Sequence, residues 1–195
     1  MFWFFLNKDN KFLHQKCKVW SRGASKAPNS CIVKRVITSL FLSVLFLGSL
    51  VPVVSAQEPY FRLKDLSNQW KEYDDLKGAS LTVIDFWATW CQPCVQAIPH
   101  LNTISAQYAE KGVAFIGVSV DGPRNQSKIN PFIKSMGVSY PILRDINSEL
   151  MSELNVSAVP TLLIYDSSGE LVNIHEGFRP GDELIVSEMI ESALD

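Results

Sequence analysis

The chain has 195 residues and a near balance of charge, with 18 lysines and arginines against 20 aspartates and glutamates. That balance hides a division. Residues 1–56 hold eight basic residues and one acidic one, which leaves ten basic and 19 acidic residues in 57–195, a net charge of −9. So acidic a segment is excluded as a nucleic-acid binder, because such binding rests on basic patches that neutralise phosphates, and it is long enough for one domain with a real core.

Residues 1–32 carry aromatic residues and scattered lysines without a clear period, and they precede a complete export signal. They read as an N-terminal extension of uncertain status, and one hypothesis is that translation starts at Val33. Within 33–56, Lys34-Arg35 followed by the uncharged run Val36–Leu50 has the form of the basic and apolar parts of a secretory signal. Pro52 then breaks the helix, and Val54-Ser55-Ala56 puts small or compact residues where a signal peptidase reads, which would leave Gln57 first. The uncharged run Val36–Gln57 is also long enough for an uncleaved membrane anchor, and both readings stay open. Either way the upstream positive charges hold the N-terminus inside and send 57–195 to the periplasm or another extracytoplasmic space. No cysteine follows the apolar run directly, so a lipid anchor is not indicated.

Beyond the signal, Tyr60–Lys64 and Gln69–Tyr73 alternate as a short hairpin with Ser67-Asn68 as its turn. Asp74–Lys77 reads as a helical turn ended by Gly78. Leu81–Trp87 is nearly continuous in apolar residues, as a strand covered on both faces is. A helix follows from about Gln92 to Glu110, with Pro99 predicting a kink. Val113–Val120 is a second buried strand, and Asp121-Gly122-Pro123 turns the chain into a helix over Asn125–Met136. Tyr140–Leu143 is a short strand and Asn147–Leu154 a short helix. Thr161–Tyr165 and Leu171–His175 pair across Ser167-Ser168-Gly169, and Asp182–Leu194 is an amphipathic closing helix. The expected fold is α/β, a mixed central sheet with helices on both faces, preceded by the hairpin and interrupted by a central βα insertion.

Chemistry concentrates in Trp90-Cys91-Gln92-Pro93-Cys94 at the junction of strand and helix. Two cysteines three apart can close a small ring and reopen it, which is what thiol–disulfide exchange needs. Cys91 falls at or beside the helix N-cap, where unpaired N–H groups and the helix dipole favour a thiolate. Cys94, one turn in, suits the resolving role, and Pro93 sits in the first turn, where its missing N–H costs nothing. Cys17 and Cys31 precede the apolar run, so Cys91 and Cys94 are the cysteines expected outside the membrane. A lone pair in an oxidising compartment reads as a working redox centre. Zinc needs about four ligands, and the exported part offers only His100 and His175 as further nitrogen ligands, so no metal and no cofactor is expected. Trp87 is expected in the core and Trp90 at the rim, as an apolar contact for substrates.

The segment Asp85-Phe86-Trp87-Ala88-Thr89-Trp90-Cys91-Gln92-Pro93-Cys94 resembles the active site of the thioredoxin superfamily, and Val159-Pro160-Thr161 before an apolar run resembles its cis-proline loop. Phe61 to Asp195 is similar in element order and length to the exported TlpA/ResA-like branch. The resemblance implies a thioredoxin fold and an oxidoreductase with a Cys91–Cys94 disulfide. It implies that Asp85 is a buried acid taking the proton of Cys94, against the plain alternative of a strand-end carboxylate reaching water. It implies a cis Val159–Pro160 bond that presents the Val159 backbone beside Cys91, and Gly177 allowing close approach across the groove. Trp90, Pro93, Val159, Pro160 and Gly177 are thus the expected substrate contacts. Partners would be protein disulfides and a membrane thiol electron donor, with the domain acting as a monomer and binding no nucleic acid.

Two positions depart from the branch. It often has Asn where Asp85 stands and Glu three residues after the second cysteine, where this chain has Ala97. The missing helix acid turns the expectation from a dedicated role in cytochrome c maturation toward broader reduction of exported protein disulfides. Gln92-Pro93 adds no positive charge between the cysteines, which favours a reductase over an oxidant. A peroxiredoxin-like thiol peroxidase is the rival, since Val118-Ser119-Val120-Asp121 is similar to that group. Its Pro-x-x-x-Thr-x-x-Cys loop is not met, because Thr89 lies two residues before Cys91.

Overall fold

The computed structural model describes residues 59–195, so the extension and the export segment lie outside the described residues. Among the latter, seven strands form one mixed sheet in the order β2-β1-β5-β4-β3-β6-β7. They are β1 (Arg62–Asp65), β2 (Trp70–Glu72), β3 (Leu81–Trp87), β4 (Val113–Ser119), β5 (Ile142–Arg144), β6 (Thr161–Asp166) and β7 (Leu171–Glu176). β3 runs parallel to β4, and β4 parallel to β5, while β6 and β7 return antiparallel and β1–β2 form the N-terminal hairpin.

β3 organises the core. Its β-branched and aromatic residues suit a pleated surface, and all seven are buried, so both faces are covered there. Val83, Ile84 and Phe86 are fully enclosed, and each such side chain is worth about 1.5–3 kcal/mol of apolar burial. The helices are α1 (Tyr73–Leu76), α2 (Gln92–Tyr108), α3 (Gln126–Met136), α4 (Glu149–Glu153) and α5 (Asp182–Leu194). α2 packs against α5, whose Val186 and Ile190 are buried, and α3 lays Phe132 on Trp87 with ring centroids 5.4 Å apart.

Several boundaries differ from the sequence expectation, each for a physical reason. α1 ends at an extended Lys77. Gly78 is therefore not a left-handed cap. A Cβ there would collide with the Leu81 carbonyl and lie 2.6 Å from that of Gly112. α2 runs unbroken through Pro99 and tightens into a 3-10 turn, Ala109–Lys111, closed by left-handed Gly112. α3 is likewise preceded by a 3-10 turn at Pro123–Asn125. β5 begins two residues later than predicted, because Pro141 has no N–H for a ladder and Tyr140 turns inward instead.

Candidate active site

Register brings the site together. Trp87 at the end of β3 lies opposite Ser119 at the end of β4, Phe86 lies opposite Thr161 at the start of β6, and Thr161 lies opposite Glu176 at the end of β7. The turns that follow β3, β4 and β7, and the loop that precedes β6, therefore emerge at one end of the sheet. They carry Thr89–Cys91, Asp121, Gly177 and Val159–Pro160.

Cys91 is the N-cap of α2 and is joined to Cys94 by a disulfide, Cα to Cα 5.3 Å. Its Sγ accepts a hydrogen bond from the Cys94 backbone N–H at 3.2 Å. That N–H is one of the donors every helix N-terminus leaves unpaired, so the sulfur stands where a thiolate gains both a hydrogen bond and the dipole. Both cysteines are buried, with Cys94 the more enclosed. Trp90, by contrast, is 62 % exposed, and Pro93 also faces solvent.

Sequence reasoning missed the clamp behind this loop. Asp121 is fully buried, and its carboxylate accepts from the Thr89 N–H (2.9 Å), the Thr89 hydroxyl (2.7 Å) and the Ser119 hydroxyl (2.9 Å). Val120 N–H adds a bond to the Trp87 carbonyl. Buried carboxylates need such partners, and here they fix the residues immediately before Cys91. The one visible signal was an Asp at the end of an apolar strand.

Asp85 lies in the middle of β3 and is 1 % exposed, which removes the reading of a strand-end residue reaching water. Burial pushes its carboxyl up to about 7, and a hydrogen bond from the Tyr140 hydroxyl, 3.3 Å away, works in the opposite direction. No hydrogen bond joins it to either cysteine while these are disulfide-bonded. Ala97 is buried on α2 and offers no acid there.

The Val159–Pro160 bond is cis, and the Pro160 carbonyl accepts from the Gly177 N–H at 2.8 Å. Among the described residues neither the N–H nor the C=O of Val159 has a hydrogen-bond partner. Gly177 has φ +80°, and a side chain there would enter open space. Phe178 is buried and meets His100 of α2 in a tilted contact, centroids 5.6 Å apart. A groove of about 460 Å³ runs between Pro93 and the segment His175–Arg179.

The chain is similar to known proteins in sequence and in fold. Residues 54–174 match the AhpC/TSA family. The thiol-disulfide oxidoreductase ResA of Oceanobacillus iheyensis is 32% identical over 130 residues, covering 65% of this chain and 66% of that protein. The ResA of Geobacillus kaustophilus is 30% identical over 131 residues, covering 67% of this chain and 74% of that one. Among solved structures, a thiol:disulfide interchange protein described as DsbE from Chlorobium tepidum superposes with a TM-score of 0.65 at 28% identity, over 72% of this chain and 97% of its own. A cysteine pair on a helix N-terminus at the end of a central strand, in this sheet and with these relatives, places the chain in the AhpC/TSA family as a thioredoxin-fold thiol-disulfide oxidoreductase of the ResA type.

Proposed function

We propose that the protein reduces disulfides of extracytoplasmic protein substrates through Cys91 and Cys94, and that a membrane thiol donor returns it to the dithiol form. The observation that carries this reading is Cys91 at the α2 N-cap, its sulfur receiving the Cys94 N–H while bonded to Cys94. In the dithiol form the Cys91 thiolate attacks one sulfur of the substrate. The substrate S–S bond breaks, and its second sulfur leaves and takes a proton. Asp85, held near neutrality by burial, accepts the proton of Cys94. The Cys94 sulfur then attacks Cys91, the mixed disulfide breaks, and the second substrate thiol departs. The substrate has gained two electrons and two protons, and the enzyme is left in the disulfide form described above.

The free backbone edge of Val159 supports docking of an extended substrate segment as an added strand, with Gly177 leaving room opposite and Trp90 giving an apolar contact. Reading backbone rather than side chains suits a broad range of substrates. Export rests on Lys34-Arg35 and the uncharged run Val36–Gln57. Against a peroxidase stands the Thr89 hydroxyl, which is committed to Asp121 at 2.7 Å. Insulin-disulfide reduction measured beside peroxide consumption tests the proposal. Reduction without peroxide turnover is expected, and peroxide turnover without insulin reduction would overturn it.

A further inference from the structure

The hydroxyl of Tyr140 reaches Asp85 from a part of the chain 55 residues away, and three features converge to put it there. The first is Gly117. It lies directly opposite Asp85 in the β3–β4 register, and a Cβ on it would stand 2.5 Å from the Ile142 Cδ1, 3.1 Å from the Tyr140 ring and 3.2 Å from the Trp87 indole nitrogen. Glycine in the interior of a central strand weakens it, and this one leaves the space that Ile142 and the Tyr140 ring share. The second is backbone: the Gly117 N–H donates to the Pro141 carbonyl at 2.9 Å, and Phe115, two residues back on the same strand face, meets the Tyr140 ring with centroids 5.9 Å apart. The third comes from the cysteine-bearing helix. Asn102 of α2 accepts from the Ser139 N–H and hydroxyl, both at 2.9 Å, and donates to the Gly137 carbonyl at 3.0 Å. The loop before Tyr140 is thus stitched to α2, and Tyr140 itself is 8 % exposed.

We propose that Tyr140 is a positioning residue for disulfide exchange: its hydroxyl orients the Asp85 carboxyl and is the donor against which that carboxyl becomes charged. The inference rests on the reading of Asp85 as proton acceptor for Cys94. No other titratable side chain contacts the carboxyl among the described residues. The neighbours of Asp85 across the sheet are Gly117 and Leu162, and the buried positions of α2 beyond Cys94 begin with Ala97 and Ile98, all without charge. The cysteines are disulfide-bonded and do not titrate in this state. Burial and the adjacent Asp85 push the Tyr140 hydroxyl further above its ordinary range, so it remains a donor at every working pH. A donor favours the ionised carboxyl, so losing it must make Asp85 harder to charge. The Trp87 Nε1, also beside Gly117, is buried and makes no hydrogen bond among the described residues, so the side-chain donor that reaches the carboxyl there is the Tyr140 hydroxyl.

The test is Tyr140→Phe, which removes one oxygen and keeps the ring. The Asp85 side-chain carboxyl is followed by carbon NMR as a function of pH, and resolution of a Cys91 mixed disulfide is timed over the same range. The carboxyl midpoint is expected to rise by about one pH unit, the scale of a hydrogen bond to a charged group. The rate profile should move with it, and slow resolution near neutral pH should recover at higher pH. An unmoved carboxyl midpoint overturns the role of Tyr140. A midpoint that moves while the rate profile stays fixed overturns Asp85 as the acceptor, leaving the contact itself intact. Should Tyr140→Phe fail to fold, Asn102→Ala loosens the loop and keeps the hydroxyl. It must raise the same midpoint by a smaller step, and a stationary midpoint there also overturns the proposal.

Discussion

Cys91 and Cys94 occupy unequal surroundings, and the inequality supports the proposed order of action, Cys91 first and Cys94 second. Cys91 holds the helix N-cap and receives an N–H, while Cys94 lies inside the first turn and is the more enclosed. Cys94→Ser is therefore expected to accumulate a mixed disulfide through Cys91, visible on a non-reducing gel, because nothing resolves it. Equal trapping by Cys91→Ser would reverse the assignment. Asp85 yields a prediction with a definite sign. Its folded carboxyl titrates near 7, against 3.8 for the free group, so ionising it costs stability. That cost is absent below about pH 4, grows between 4 and 7, and is complete above. Asp85→Asn should thus match the parent in acid and exceed it by about 2–4 kcal/mol at pH 8 in urea unfolding, while resolving mixed disulfides more slowly. The cysteines, Asp85 and Trp90 were legible in the sequence because one short segment carries them all. Asp121 and Tyr140 were not, since their partners Thr89 and Asp85 lie 32 and 55 residues away and only the sheet register unites them.

Among the elements, two matched expectation to the residue: β3 spans Leu81–Trp87, read from its nearly unbroken apolar run, and α5 spans Asp182–Leu194. Short elements shifted, because side chains outside them set their ends. α4 shows how. Its N-cap Ser148 has φ +56° and makes no side-chain cap, and buried Asp145 reaches forward to accept from the Glu149 and Met151 N–H groups at 2.8 and 2.9 Å. The turn that joins β3 to α2 depends on a similar acid. Asp121→Ala would strand the Thr89 N–H and two hydroxyls, and should cost about 2–4 kcal/mol, read as a fall in urea midpoint together with a loss of reductase activity. At the groove, Gly177→Ala is expected to lower stability by only about 1 kcal/mol, through its left-handed backbone. Its added methyl points into open space beside Pro160, so KM for a protein disulfide should rise more than kcat falls.

Over the whole chain, charge and hydropathy divide the sequence at about residue 56, and that division was plain without coordinates. Export is expected to leave Gln57 as the first residue, which an intact mass of the exported product checks; a product retaining residues 36–56 would identify an anchor instead. Fold class was equally legible, since strands alternating with helices before a final hairpin admit few sheets. What the alternation could not give is the spatial order of the strands, and that order has a consequence for reach. The Phe61 carbonyl accepts from the Tyr73 N–H, and the chain runs from there directly into β1, near one margin of the sheet. The groove is lined in part by His175 and Glu176 of β7, the strand at the other margin. Five strand spacings separate β1 from β7, about 24 Å at the usual interval. With the groove as the proposed substrate site, β1 and a bound client would stand on opposite flanks of the sheet, with the strands between them as the spacer.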